Sequence, residues 1–222
     1  MNITKLKNIK KYQGSLSQQG KLSLLINSIG IFLLFLVHIQ MARMLGANEY
    51  GQFIYVITWI SLFITLGKFG FETTLVRYIS IYEQNKQWGL LHGLLRWTKI
   101  VALVIGILSI VIISIAVFYL DSILEKGLDS LFYIGALCVP VIIYIKLYLA
   151  HLHSFQYPHL SLLVEIIFFP VLLSIGMFVM FFQGMISADH VMIIHVCSNI
   201  IILMMAIILL RRTNVNYKYV KL

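Results

Sequence analysis

Charged residues are scarce in this chain: they make up 11% of its 222 residues, and only 8 of them are acidic. Apolar residues make up 60%, and the mean hydropathy is +0.94. A soluble domain of this size and composition would have to expose too much apolar surface to water. The shortage of charge therefore excludes an ordinary water-soluble domain.

Residues typical of catalytic and metal sites are also few. The two cysteines, Cys138 and Cys197, lie inside apolar stretches without a spaced framework, so we predict neither a disulfide nor a metal site from them. The absence of a Walker A motif argues against an ATP-driven pump. The sequence also has no carboxylate pair placed for acid–base catalysis and no recognisable nucleophile motif. We therefore predict that the chain is not an enzyme and uses no cofactor.

The sequence does contain a series of apolar stretches of about 20 residues, separated by short polar segments. A helix of about 20 residues is about 30 Å long, which matches the hydrocarbon core of a bilayer. The pattern predicts an all-α integral membrane protein built as a bundle of six transmembrane helices. The predicted spans are 22–42, 52–71, 99–120, 130–150, 160–182 and 190–210.

The segment between the second and third spans is too polar to cross a membrane, but its apolar residues recur at helical spacing. Leu75, Ile79 and Tyr82 form one set, and residues 91–97 contain another. This spacing predicts amphipathic helices at the membrane surface or along a cavity.

Four residues inside or beside the spans are expected to bend the chain. Pro140 and Pro170 each remove a backbone hydrogen bond within a predicted span, which predicts a kink that shapes the helix or a hinge. Gly67 and Gly70 permit close backbone approach at the end of the second span. We expect them to turn the chain into the amphipathic segment.

Basic residues are unevenly distributed, and this predicts the topology. Of the 17 Lys and Arg residues, 15 lie in the N-terminal segment 1–21, the second and fourth loops with the adjoining span ends, and the tail 211–222; the others are Arg43 and Lys126. Cytoplasmic segments carry the Lys and Arg excess, so both termini are predicted to face the cytoplasm. The net charge of +9 is explained in this way, and no nucleic-acid partner is predicted.

Two segments near the front of the chain carry a recognisable pattern. Residues 41–53 read MARMLGANEYGQF, and residues 66–80 read LGKFGFETTLVRYIS. They resemble the polysaccharide exporters and the flippases of O-antigen or lipid-linked oligosaccharides, in the multidrug/oligosaccharidyl-lipid/polysaccharide transporter superfamily. That family typically shows A-R-x-L-G-x-x-E-Y-G and then a G-x-x-T-A-L-V-R-like segment, where Thr74 here replaces Ala. Glu165 ahead of Pro170 also resembles the family's fifth helix.

The resemblance implies transport by alternating access across the bacterial cytoplasmic, or inner, membrane. A polyprenyl-diphosphate-linked oligosaccharide would bind between two helical bundles, surrounded by membrane lipids. The chain would correspond to the N-terminal six-helix half, completed by a second six-helix lobe or by a homodimer. Three alternatives stay open: a small-molecule or cation antiporter lobe of the same superfamily, a truncated non-transporting remnant, and a membrane enzyme. The short outer loops disfavour the enzyme.

Four charged residues are candidates for substrate binding. Arg77 lies in the family-like segment and can hold phosphate oxygens bidentately, or it can anchor the helix to lipid phosphates. Lys68 can serve the same ligand or extend its ammonium group to the interface, and Arg43 can cap the first span. Glu165 lies inside a span, so it should be paired or hydrated. It can be a proton or cation site, a partner of Lys68, Arg77 or Lys146, or a packing group.

The histidines are weaker candidates. His38 and His195 lie within spans, where we expect packing groups rather than a proton relay. His151, His153 and His159 are close in sequence, but side chains two residues apart diverge on a helix. We therefore predict no metal site there.

Overall fold

The computed structural model describes residues 3–68, 70–120, 127–154, 158–184 and 186–213, and in these ranges the chain is helical without strands. The all-α prediction is confirmed. The loop containing Lys126 and the tail beyond residue 213 lie outside the described residues. The helices are α1 Ile3–Lys68, α2 Phe71–Gln84, α3 Trp88–Leu120, α4 Leu128–Ala136, α5 Cys138–Ser154, α6 Pro158–Leu162, α7 Phe169–Phe182 and α8 Ala188–Thr213, with a π-helical segment Leu163–Phe168 between α6 and α7.

Five stretches of the described chain are long and apolar enough to cross a membrane. They are Gly20–Tyr82, Trp88–Tyr119, Leu128–Ser154, His159–Phe182 and Ala188–Arg212. The first is 63 residues long, which as one straight helix would be about 95 Å, far more than a bilayer needs. Its path explains the difference.

The long helix α1 reverses direction at Gly46, whose φ of 76° and ψ of 172° are not helical. Residues 12 apart on a straight helix are separated by about 18 Å. Yet the Tyr50 hydroxyl oxygen lies 3.3 Å from Nδ1 of His38. The chain therefore folds back at Gly46, and we call residues 3–45 the first arm of α1 and residues 47–68 the second arm.

The polar segment after α1 is built into the bundle. Gly70, with φ 73°, lies between α1 and α2, and its carbonyl accepts hydrogen bonds from the Thr73 hydroxyl at 3.0 Å and the Thr74 amide at 3.2 Å. Helix α2 then buries Leu75 and Ile79 against the bundle and packs against α3 and α5. Residues 91–97 are not a separate amphipathic helix, because α3 begins at Trp88 and continues to Leu120.

The two prolines mark departures from regular helix four residues upstream. Pro140 has no N–H to donate to the carbonyl of Ala136, and α4 ends at Ala136. Pro170 likewise leaves the Ile166 carbonyl without its helical partner, and Ile166 lies in the π-helical segment. The predicted fourth span is thus divided into α4 and α5, and the fifth contains a widened turn.

Small residues allow close contact where the helices cross. A Cβ atom on Gly106 of α3 would lie only 2.6 Å from Cβ of Pro140 on α5, and Gly176 of α7 meets Ile194 of α8 in the same way. The outer surface instead carries large apolar side chains, with Phe32 60% exposed, Phe118 74% and Phe182 76%. Such a surface suits contact with lipid chains rather than water.

Candidate functional site

One end of the bundle contains a cavity of about 430 Å³ between α2, α5, α6 and the π-helical segment. We call it the Arg77 cavity. Most of its wall is apolar, but four ionisable side chains, one of them a histidine, face it. The lining residues are Thr73, Val76, Arg77, Lys146, Leu149, Ala150, His153, Ser161, Leu162 and Glu165.

Lys146 of α5 and Glu165 of the π-helical segment form an ion pair in the wall of this cavity. Their side chains keep 24% and 34% of their surface exposed, so the pair is open to the cavity rather than sealed in the protein. A lone charge inside a membrane span is costly, and pairing removes most of that cost. Sequence reasoning left three partners for Glu165 open, and the structure selects Lys146.

Arg77 approaches the same cavity from α2 and is exposed. The chain brings it there because Leu75 and Ile79 fix the rotation of α2 through burial, 1% and 0% exposed respectively. A residue between them in sequence then projects away from the core. The planar guanidinium group suits bidentate recognition of phosphate or carboxylate oxygens.

The other two candidate cations lie elsewhere. Lys68, the last residue of α1, is half-buried and shares with Lys146 a narrow crevice of about 10 Å³ beside the Arg77 cavity. Arg43 is exposed and lies three residues before Gly46, at the end of the bundle opposite the Arg77 cavity. The structure thus brings Arg77 and Glu165 to one cavity, places Lys68 in a neighbouring crevice that shares Lys146, and leaves Arg43 outside both.

The opposite end of the bundle, which we call the Gly46 end, is tied by hydrogen bonds. Oε2 of Glu49 accepts one from the Ala188 amide at 2.8 Å, at the first turn of α8. The Ser130 hydroxyl of α4 donates to Oδ1 of Asp189 at 2.8 Å. A carboxylate at a helix N-terminus is favourable because the amides there lack helical partners. This end joins α1, α4 and α8.

The intramembrane histidines lie in packed surroundings. His195 has ring contacts with Phe53 and Phe169, and its Nδ1 lies 3.4 Å from Sγ of Cys138. His38 meets Tyr50 across the reversal of α1.

The three neighbouring histidines are dispersed. His151 is buried in α5, His153 is exposed on the Arg77 cavity, and His159 lies in α6. Among the residues that the structure describes, no group of three or more His, Cys, Asp or Glu is placed to hold a metal ion.

Lys146 and His153 were not chosen as site residues from the sequence. Both lie on α5, where they are separated by seven residues and so share a face of the helix. That spacing in the sequence indicates that Lys146 and His153 lie on one face of α5. It does not reveal that this face turns toward α2 and Glu165.

Comparison with protein families identifies a family for this chain. The model of a family described as "polysaccharide biosynthesis protein" matches residues 17–221, nearly the whole chain. Neither a search of curated proteins nor a search of solved structures finds a significant match. The resemblance seen in the two front motifs is confirmed by the family match, and its members are transporters rather than enzymes.

Proposed function

Because the chain belongs to the polysaccharide biosynthesis protein family, we propose that it is a flippase lobe. It would move lipid-linked polysaccharide or O-antigen repeat units across the bacterial cytoplasmic membrane by alternating access. The observation that carries this proposal is the Arg77 cavity, where a guanidinium and an ammonium group face one space inside a multi-pass membrane protein.

The chemistry of the cavity suits the junction of such a substrate. A polyprenyl-diphosphate-linked oligosaccharide has a diphosphate between its lipid tail and its sugars. Arg77 can hold phosphate oxygens bidentately, and Lys146 can contribute a compact second charge. Thr73 and Ser161 also place hydroxyl groups on the wall, and a hydroxyl oxygen can accept a hydrogen bond from a sugar hydroxyl.

The proposed topology has six crossings with both termini in the cytoplasm. The reversal at Gly46 turns the first of the five apolar stretches into two crossings. An even number returns the chain to its starting side, and the Lys and Arg excess assigns that side to the cytoplasm.

Labelling of single cysteines in intact cells tests this topology. A cysteine at position 48 should react with a membrane-impermeant maleimide and one at position 212 should not; the reverse result contradicts the proposed topology.

A second lobe would complete the transport pathway. The described wall of the Arg77 cavity comes from α2, α5, α6 and the π-helical segment alone. Alternating access requires a second bundle that moves against this one, either a further six-helix lobe or a second copy of the chain. The Arg77 cavity would then face the cytoplasm in the conformation described here.

A cation or drug antiporter is less well supported by the same geometry. Such a transporter needs an unneutralised carboxylate in its cavity, whereas Glu165 already pairs with Lys146. Cationic groups outnumber acidic ones along the described wall.

The decisive experiment is complementation of a strain that lacks its surface-polysaccharide flippase. We expect surface glycan to be restored by the chain and lost on Arg77→Ala. The matched control is Arg96→Ala, since Arg96 is exposed on α3, which contributes none of the described cavity lining. Undiminished glycan with Arg77→Ala at equal membrane abundance would contradict the assigned site. If the wild-type chain in the membrane restores nothing, transport by this chain alone is excluded.

A further inference from the structure

We infer that Glu165 sets the headgroup specificity of the Arg77 cavity by acting as an internal competitor for Lys146. In the structure its carboxylate pairs with the ammonium group of Lys146. A lipid headgroup with two adjacent phosphates displaces the carboxylate, whereas a single phosphodiester does not. This inference deepens the proposed function and rests on it.

The first support is the arrangement of charges. Arg77 reaches the cavity from α2, while Lys146 and Glu165 reach it together from α5 and the π-helical segment. Arginine and lysine supply two positive charges to the described wall and Glu165 supplies one negative charge, so the cations outnumber the carboxylate. The Arg77 guanidinium is thus the immediate anion site, and Lys146 becomes a second one only after it leaves Glu165.

The second support is accessibility. Both members of the pair are partly exposed, and the cavity that they line is large enough for a diphosphate and the adjoining sugar. Arg77 and Lys146 line the same open cavity, so an anion that enters it can contact Lys146 without the unfolding of any helix. A partly exposed ion pair is also weak, so a ligand that replaces the carboxylate with phosphate oxygens loses little.

The third support is the need to reject bulk lipid. Phospholipid headgroups surround this cavity in a bilayer; the phosphodiester of each carries one negative charge, and these headgroups vastly outnumber any lipid-linked saccharide. Two unoccupied cations at an open cavity would bind these headgroups. A carboxylate already seated on Lys146 leaves a phosphodiester only Arg77, while a diphosphate can engage both cations. Selectivity of this kind is obtained by disfavouring the competitor rather than by adding contacts to the substrate.

The test compares two probes on purified full-length chain in detergent micelles. Geranylgeranyl diphosphate represents the adjacent phosphates, and phosphatidylglycerol represents the bulk phosphodiester. The ratio of their dissociation constants is measured for the wild type and for Glu165→Gln. Both proteins are tested with the same two lipids, so the contribution of the different tails cancels when the two ratios are compared. We expect Glu165→Gln to tighten phosphatidylglycerol binding about fivefold, with a smaller change for the diphosphate, so the preference for diphosphate falls.

Two further variants keep the test decisive. Lys146→Gln should weaken diphosphate binding, while its dissociation constant for phosphatidylglycerol should stay within about twofold of the wild-type value. Glu165→Asp keeps a competing carboxylate and should retain the wild-type preference for diphosphate. An unchanged preference in Glu165→Gln, or equal weakening of both probes, overturns the inference. If Arg77→Ala leaves diphosphate binding intact, the proposed function fails as well. If Arg77→Ala weakens binding while Glu165→Gln keeps the preference, only this inference fails.

Discussion

Tyr50 and His38 share a hydrogen bond of 3.3 Å between the phenolic oxygen and Nδ1, and this bond joins the two arms of α1 across the reversal at Gly46. Their rings also meet edge to face, with centroids 6.3 Å apart. Tyr50 belongs to the motif that relates the chain to its family. The motif therefore contributes to the fold of the first two helical arms, at the end of the bundle opposite the Arg77 cavity.

Removing the Tyr50 hydroxyl should loosen this reversal. Tyr50→Phe is expected to lower the free energy of unfolding by about 0.5–1.5 kcal/mol, as is typical of a single polar contact between membrane helices. The measurement is unfolding of the purified chain by titration with sodium dodecyl sulfate. Tyr55→Phe is the control, since Tyr55 is about half exposed, and it should change the stability by less. Equal losses in both variants would contradict the role of the bond.

Two glycines of the same motif should respond in opposite directions to alanine. Gly46 has a positive φ with an extended ψ, a conformation almost confined to glycine, so Gly46→Ala should cost about 1–3 kcal/mol or more. Gly51 is helical, and a Cβ atom there would meet no atom within 4 Å. Gly51→Ala should therefore be neutral or stabilise by up to about 1 kcal/mol. The same detergent titration measures both, and similar effects would argue against a specific reversal at Gly46.

Gly30 should be intolerant of a side chain because it lies against the π-helical segment. A Cβ atom there would overlap Cγ2 of Ile166 and lie 3.0 Å from the Ile166 carbonyl oxygen. We expect Gly30→Ala to destabilise the chain by about 1–3 kcal/mol through overpacking. Gly20→Ala on the same arm, where nothing lies within 4 Å, is the control. Ile166→Leu removes the β-branch and should recover part of the loss; no recovery would place the strain elsewhere.

Glu49 should stabilise the start of α8 through its hydrogen bond with the Ala188 amide. Glu49→Ala removes the acceptor and the favourable charge at the helix N-terminus, at a cost of about 1 kcal/mol. Glu49→Gln keeps an acceptor oxygen and should lose only a few tenths of a kcal/mol. Hydrogen exchange of the α8 amides resolves the effect locally. Faster exchange in Glu49→Ala limited to regions away from residues 188–191 would contradict the assignment.

The sequence predicts most of the architecture because the hydrophobic effect leaves a clear pattern. Apolar blocks locate the crossing stretches, and Pro140 and Pro170 locate the two departures from regular helix. The third span is predicted to begin at Lys99, because Arg96 and Lys99 are too polar for the bilayer interior. A helix need not end where the hydrocarbon begins, however, and α3 continues as an intact helix back to Trp88.

The site was harder to predict because it depends on how each helix is rotated about its own axis. Arg77 and Glu165 were selected from motif position and from the cost of a buried charge. The pairing of Glu165 with Lys146, rather than with Lys68 or Arg77, depends on the rotation of α5. That rotation is fixed by distant contacts such as Gly106 against Pro140, which no local pattern records.

The bond between Glu49 and Ala188 joins residues separated by 139 positions, and this separation orders the assembly of the protein. Synthesis proceeds from the N-terminus, so the hairpin of the two arms, with its Tyr50–His38 bond, is complete long before α8 leaves the ribosome. The Ala188 amide becomes available to Glu49 only when α8 is inserted. Closure of the Gly46 end is therefore a late step in the assembly of the described helices, because it waits for α8.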